Sequence, residues 1–114
     1  LQNESFACSN GKQIRNFIYI KDFVSIVYES LFIKISGIII NVGSNKNYTV
    51  KFIINKIRQI VGKGLPIYGK IKMRKDEPLK LYPNLTKFKK FINLRNKIKI
   101  NSGLKSTIKY YKKI

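Results

Sequence analysis

Between Thr49 and Gly62 the chain repeats apolar residues every three or four positions: Val50, Ile53, Ile54, Ile57, Ile60 and Val61. Only an α-helix gathers that spacing onto one face, and a helix with one apolar face must bury it against a second layer. Thr49 offers a hydroxyl to the free N–H groups of the first turn, Gly62 and Gly64 end the helix, and Pro66 prevents its return.

Shorter signals flank this helix. Phe17-Ile18-Tyr19-Ile20 has strand length and composition, with Ile18 and Ile20 as the core-facing pair. Asp22 then suits the N-cap of a helix carrying Phe23, Val24, Val27, Tyr28 and Leu31. Gly37 interrupts the pattern, and Ile38-Ile39-Ile40-Asn41-Val42 reads as a second strand, buried on both faces and closed by Gly43. Ile67 to Ile71 is a weaker third strand. Thr86 to Phe91 reads as a short basic helix. Leu104, Ile108 and Tyr111 against Lys105, Lys109 and Lys112 mark an amphipathic terminal helix. Short strands alternate with amphipathic helices, so the expected class is α/β, with residues 1–114 as one unit.

Composition removes several chemistries. The 114 residues contain no histidine and one cysteine, Cys8, so imidazole catalysis, an internal disulfide and a Cys-rich zinc site are excluded. No metal site is expected. No apolar run approaches the about 20 residues of a membrane span. The start, Leu1-Gln2-Asn3-Glu4, lacks the basic and apolar regions of a signal peptide, which favours a reducing, cytoplasmic setting. A first residue other than Met fits a piece of a longer protein.

Charge leaves two readings open. Lys and Arg number 24 against 5 Asp and Glu, a formal net charge of +19. Lysines that neutralise phosphates release counterions without needing a motif, so a nucleic acid or other polyanion is one class of partner. Yet 20 of the cations are Lys, spread along the chain beside 20 Ile and 11 Asn, as an A/T-rich coding bias alone would produce.

A series of motifs points elsewhere. Gly11-Lys12-Gln13-Ile14-Arg15-Asn16-Phe17-Ile18-Tyr19-Ile20-Lys21-Asp22 resembles G-x-Q-x-R-D-F-I-Y-V-x-D. Asn41-Val42-Gly43, with Thr49-Val50 after a polar loop, resembles N-V-G-x(n)-[ST]-[VI]. Arg74-Lys75-Asp76-Glu77-Pro78 is similar to R-x-x-[DE]-x-P or R-x-x-E-P, Pro83 to Lys87 stands where D-x-[ST]-K is usual, and Ile92-Asn93-Leu94 is similar to L-G-W. Gly103 to Tyr111 is similar to G-L-x-x-T-I-x-W-Y. In this order they resemble the extended short-chain dehydrogenases/reductases that act on nucleotide sugars as epimerases, dehydratases and reductases, over roughly residues 11 to 111.

The resemblance implies a C-terminal portion of a Rossmann-type fold, the part that binds a nucleotide-diphosphate sugar. It implies NAD or NADP as cofactor, a possible homodimer of the complete enzyme, and a role in surface polysaccharide (O-antigen-like) sugar synthesis. Arg15 corresponds to an arginine on the diphosphate, Arg74 to one near diphosphate and ribose, and Glu77 to an acceptor for ribose hydroxyls. Phe17 and Tyr19 are candidates to line the cleft. Asn41 is expected to bond neighbouring backbone at a strand end. No catalytic residue is expected: the dinucleotide loop G-x-x-G-x-x-G and the Y-x-x-x-K acid–base pair are read as missing, and Gly62-Lys63-Gly64 as a helix terminator. Asn16, Asn84 and Leu94 depart from the usual Asp, Asp and Trp, and the lost charge at Asn16 is expected to loosen Arg15. The chain would then be inactive alone, its Rossmann half supplied in cis or in trans. A small polyanion-binding protein and a truncated remnant are the competing readings.

Overall fold

The strongest helical repeat forms as expected in the computed structural model, which describes residues 4–93 and 97–113. That helix is Val50–Val61. In chain order the elements of the described residues are β1 (Ser5–Cys8), β2 (Ile14–Asn16), α1 (Ile20–Ser30), β3 (Asn47–Thr49), α2 (Val50–Val61), β4 (Leu65–Tyr68), β5 (Lys80–Leu81), α3 (Thr86–Phe91) and α4 (Ile100–Tyr111).

Helix α2 starts where its free donors find partners. Thr49 Oγ1 accepts from the Phe52 N–H at 3.1 Å. The Val50 and Lys51 N–H groups donate to the Gln13 and Gly11 carbonyls, each at 2.9 Å. Gly11 sits at φ +70°, and a Cβ there would lie 2.7 Å from Lys51 Cβ, so the approach that caps α2 requires glycine. Gly62 ends the helix in the left-handed region at φ 75°. Ile53 faces inward, and α2 packs on α4.

Two small sheets carry the strands. β1 and β4 pair in parallel, Ser5 opposite Leu65 through Cys8 opposite Tyr68. In the second sheet β2 is central, antiparallel to β3 and parallel to β5.

Several boundaries differ from the sequence reading. The first strand is Ile14–Asn16, not residues 17–20, because the ladder partners at 47–49 and 80–81 face only residues 14–16. Ile20 opens α1 and is 62% exposed, so it leaves the core that Ile18 joins. Asp22 therefore lies inside the first turn and caps nothing in its own helix. It is buried, and its Oδ2 accepts the Ile98 N–H at 2.8 Å, 76 residues away, tying the approach to α4 onto α1. The third strand begins at Leu65 and ends at Tyr68, where Gly69 turns at φ +80°. Residues 38–42 join no ladder. Tyr111 is exposed; Gly103, Leu104 and Ile108 carry the packed side of α4.

The core is thin. Ile26, Phe88 and Ile92 form it, with Ile18, Ile40, Val42 and Leu85 among the half-buried residues around them. Phe88 is thus a core residue, with the half-buried Phe91 packed against the same cluster. Apart from Ile26 and Asp22, α1 buries little, and Phe23, Val24, Val27, Tyr28 and Leu31 are all exposed. The radius of gyration is 16.8 Å, against about 13 Å for a compact chain of this length. No helix among the described residues is long and apolar enough to cross a membrane.

Asp22 provides a direct test of the packing. Asp22→Ala strands the Ile98 N–H and should lower unfolding stability by about 1–3 kcal/mol. Asp22→Asn keeps a carbonyl acceptor and should lose less, as read from urea unfolding midpoints.

Candidate functional site

Arg15 is the middle residue of β2, and both neighbouring strands fix its backbone. Across the ladders it stands opposite Tyr48 of β3 and Leu81 of β5, so these three side chains share one sheet face. Its Nη1 donates to the Ile14 carbonyl at 2.9 Å and its Nη2 to Glu77 Oε1 at 2.7 Å. The pair is 21% and 29% exposed, sheltered enough for a charge-assisted hydrogen bond yet open to a ligand. A guanidinium has five N–H bonds, and these contacts use two.

Glu77 reaches Arg15 from a loop 62 residues away in sequence. Its N–H donates to the Arg74 carbonyl at 3.2 Å, so a tight turn carries both residues. The structure therefore brings Arg15 and Glu77 into contact and places Arg74, exposed, on the same turn. Phe17 and Tyr19 are both half-buried. Tyr19 lies against α4: a Cβ at Gly103 would stand 3.2 Å from Tyr19 Cδ2. Tyr48 went unremarked in the sequence. Its ring stacks on Phe52 with centroids 5.0 Å apart and planes at 14°, beside the position of Arg15. Only the ladder register, which joins distant segments, exposes that neighbourhood.

Asn16 does not loosen Arg15, because Glu77 and the Ile14 carbonyl orient the guanidinium. Its amide serves the loop after Gly43 instead. Oδ1 accepts the Ser44 N–H at 2.7 Å, while Nδ2 donates to the Ser44 carbonyl at 2.8 Å and to Asn47 Oδ1 at 2.7 Å. A carboxylate could not donate either of those bonds. A Cβ on Gly43 would lie 2.6 Å from Pro83 Cγ and 2.7 Å from Asn16 Oδ1, so three of the motif segments meet at this point. Asn84 Oδ1 accepts the Thr86 N–H at 2.9 Å and starts α3. Asn41, expected to bond nearby backbone, is exposed and makes no hydrogen bond among the described residues. Leu94 lies outside the described residues.

The Y-x-x-x-K pair read as missing is in fact spelled by Tyr68-Gly69-Lys70-Ile71-Lys72. Its geometry is not that of a helical pair. Tyr68 ends β4, and Gly69 turns the chain before Lys72, so the two do not stack on one helix face. The Tyr68 hydroxyl donates to Asn55 Oδ1 at 2.7 Å. Burial, reinforced by Cys8 and opposed by Arg58, raises its pKa, which is the wrong direction for a base near neutrality. Gly62 and Gly64 follow the C-terminal end of α2 at φ 75° and 94°. A phosphate would meet carbonyl groups there, so the residues present do not fit a dinucleotide pyrophosphate. No cluster of His, Cys, Asp or Glu able to hold a metal lies among the described residues.

No family model matches the chain. It is 27% identical over 110 residues to the UDP-N-acetyl-alpha-D-glucosaminuronate decarboxylase of Bacillus cytotoxicus, covering 92% of this chain and 34% of that protein. Among solved structures, the UDP-glucose 4-epimerase of Thermotoga maritima with UDP-glucose superposes with a TM-score of 0.85 at 25% identity, over 97% of this chain and 36% of that one. The UDP-glucuronic acid 4-epimerase of Bacillus cereus, in complex with UDP-glucuronic acid and NAD, gives 0.84 at 23% identity and the same coverage. The chain spans about a third of the length of each of these relatives.

The raised pKa of Tyr68 sets a pH dependence. The fold favours the neutral phenol, so its contribution is complete below the unfolded value, about pH 10, and is lost as pH rises through the folded one. Urea midpoints at pH 9 and 11 should fall less for Tyr68→Phe than for the parent chain. An equal fall would mean the hydroxyl adds nothing.

Proposed function

We propose that this chain, which carries the fold and the motif series of the extended short-chain dehydrogenases/reductases, is the C-terminal nucleotide-sugar-binding portion of an NAD(P)-dependent epimerase, dehydratase or reductase. The observation that carries the reading is Arg15, held by Glu77 on a sheet face with most of its donors unused. In the proposed site Arg15 grips the diphosphate through paired N–H groups. Arg74, on the neighbouring turn, adds a second cation near diphosphate and ribose. Glu77 accepts from ribose hydroxyls through Oε2 while Oε1 stays with Arg15. Phe17 and Tyr48 are the nearest candidates for the apolar lining.

Hydride transfer is the chemistry that NAD(P) supplies when bound, and the groups that hold it belong to the portion outside this chain. The residues here bind and orient the nucleotide. The portion with the dinucleotide site would be joined in cis or in trans, and a homodimer of the complete enzyme fits the same reading. A cytoplasmic place in the synthesis of activated sugars for surface polysaccharide fits substrates of this class.

One observation favours a second reading. Among the described residues the Arg15–Glu77 pair is the single ion pair, so most of the cations stand without a carboxylate partner. A polyanion could use Lys87, Lys89 and Lys90 of α3 with the exposed face of α4.

Calorimetric titration with UDP, GDP and dTDP separates the two. Arg15→Ala should weaken the preferred nucleotide by roughly 10- to 100-fold, the value of a charge-assisted contact, while leaving duplex DNA binding almost unchanged. Equal weakening of both ligands would remove Arg15 from the proposed site. Binding to DNA alone, with a steep salt dependence, would favour the polyanion reading.

A further inference from the structure

Of the 11 asparagines in the chain, Asn10 alone is followed by glycine. Every other asparagine precedes a residue whose Cβ crowds its side-chain amide. Asn10 is therefore the asparagine that the next backbone nitrogen can approach most freely.

The surroundings of Asn10 add to that access. It is exposed, and its Oδ1 accepts the Lys12 N–H at 3.0 Å. That bond folds the side chain back over the Gly11 peptide, as in an Asx turn, and draws electrons from Cγ. The same N–H would hold the negative oxygen formed when Cγ is attacked, as backbone donors do in an oxyanion hole. The Gly11 N–H faces Ser9 Oγ at 3.3 Å, just beyond the usual range for such a bond, so little holds its proton. No Asp or Glu lies between Ser5 and Lys21 to oppose negative charge here, and Lys12 and Lys51 stand beside the turn.

The turn also carries the start of α2. The Gly11 carbonyl accepts the Lys51 N–H, and the Gln13 carbonyl accepts the Val50 N–H, each at 2.9 Å. Gly11 is buried at φ +70°, and a Cβ on it would lie 2.7 Å from Lys51 Cβ and 2.9 Å from Lys51 N. With no space left toward α2, a longer backbone between residues 10 and 11 must displace the carbonyls that cap the helix.

We propose that Asn10 is a self-modification site, which cyclises with the Gly11 nitrogen and reopens in part as an isoaspartyl linkage that uncaps α2. Gly11 N loses its proton to hydroxide and bonds to Asn10 Cγ, and the bond from Cγ to Nδ2 breaks, releasing ammonia. Water then opens the resulting succinimide. Cleavage between the Gly11 nitrogen and Cγ leaves an ordinary aspartyl residue. Cleavage at the other carbonyl routes the main chain through Cβ and Cγ, adding one methylene of about 1.5 Å. One water is consumed for each ammonia released, and nothing is oxidised or reduced.

The test holds the intact chain warm at neutral pH in heavy-oxygen water and follows every asparagine by peptide mapping. Asn10 should convert on the order of tenfold faster than any other asparagine, taking up one labelled oxygen. The isoaspartyl form, separated by ion exchange and identified by fragmentation, is then compared with its parent by hydrogen exchange. Its first-turn amides in α2, those of Val50 and Lys51, should exchange about tenfold faster, the loss of one capping bond. Asn10→Asp carries the same charge on an ordinary backbone and should keep the parent's exchange. Conversion of another asparagine before Asn10, or of Asn10 only when the chain is unfolded in urea, overturns the proposal. So does unchanged exchange in the isoaspartyl form. An equal rise in Asn10→Asp overturns it as well, because charge and not backbone length would then uncap the helix.

Discussion

Ile14 and Arg15 are paired on both edges and Asn16 on one, and the positions of the other site elements follow from that pairing. Ile14 stands opposite Thr49 and Lys80, Arg15 opposite Tyr48 and Leu81, and Asn16 opposite Asn47. A strand this short has little stability of its own. Here the loop leading into it also caps α2, through the Gly11 and Gln13 carbonyls. The register of β3 and the start of α2 are therefore one constraint. If the loop moved, it would uncap the helix and turn Arg15 away from Glu77 together.

The thin core has a single physical origin. An amphipathic helix needs a second layer for its apolar face, and α1 has that layer only around Ile26. Phe88 and Ile92 cover one side of it, while the side bearing Val24, Tyr28 and Leu31 meets solvent. Asp22 fits the same account. A buried carboxylate is worth keeping only where it satisfies a donor, and it closes a long-range tie, to Ile98, between α4's approach and this half-covered helix.

What could be read from the sequence was what local chemistry decides. Helix α2 announced itself through Thr49, its apolar repeat and Gly62, all within one segment. The short helix α3 was read for the same reason. The first strand was misplaced because a strand's limits are set by its ladder partners, and those of β2 lie at 47–49 and 80–81. Asp22 was misread because its residue type and position suit a cap equally well, and nothing nearby reveals the Ile98 N–H. Residues 38–42 were read as a strand buried on both faces, yet they join no ladder, and Ile39 and Asn41 are exposed. The motif residues Arg15 and Glu77 were found separately, and their contact, like the meeting of Asn16, Gly43 and Pro83, is a tertiary fact.

The Arg15–Glu77 pair also determines how a lysine-rich chain could be selective. The carboxylate holds the guanidinium in place before any ligand arrives, so less side-chain freedom is lost on binding. The same carboxylate cancels most of the charge that would draw an anion in. Attraction must then come from elsewhere, and the exposed lysines are suited to that part. Their field is screened within about 8–10 Å at ordinary salt, so it raises the local concentration of anions without distinguishing among them. In the proposed site, discrimination falls to the paired donors of Arg15 and to the second oxygen of Glu77, an arrangement proposed for a diphosphate joined to a ribose. In the proposed site a high positive charge and a specific pocket are therefore complementary, because the lysines govern encounter and the ion pair governs choice.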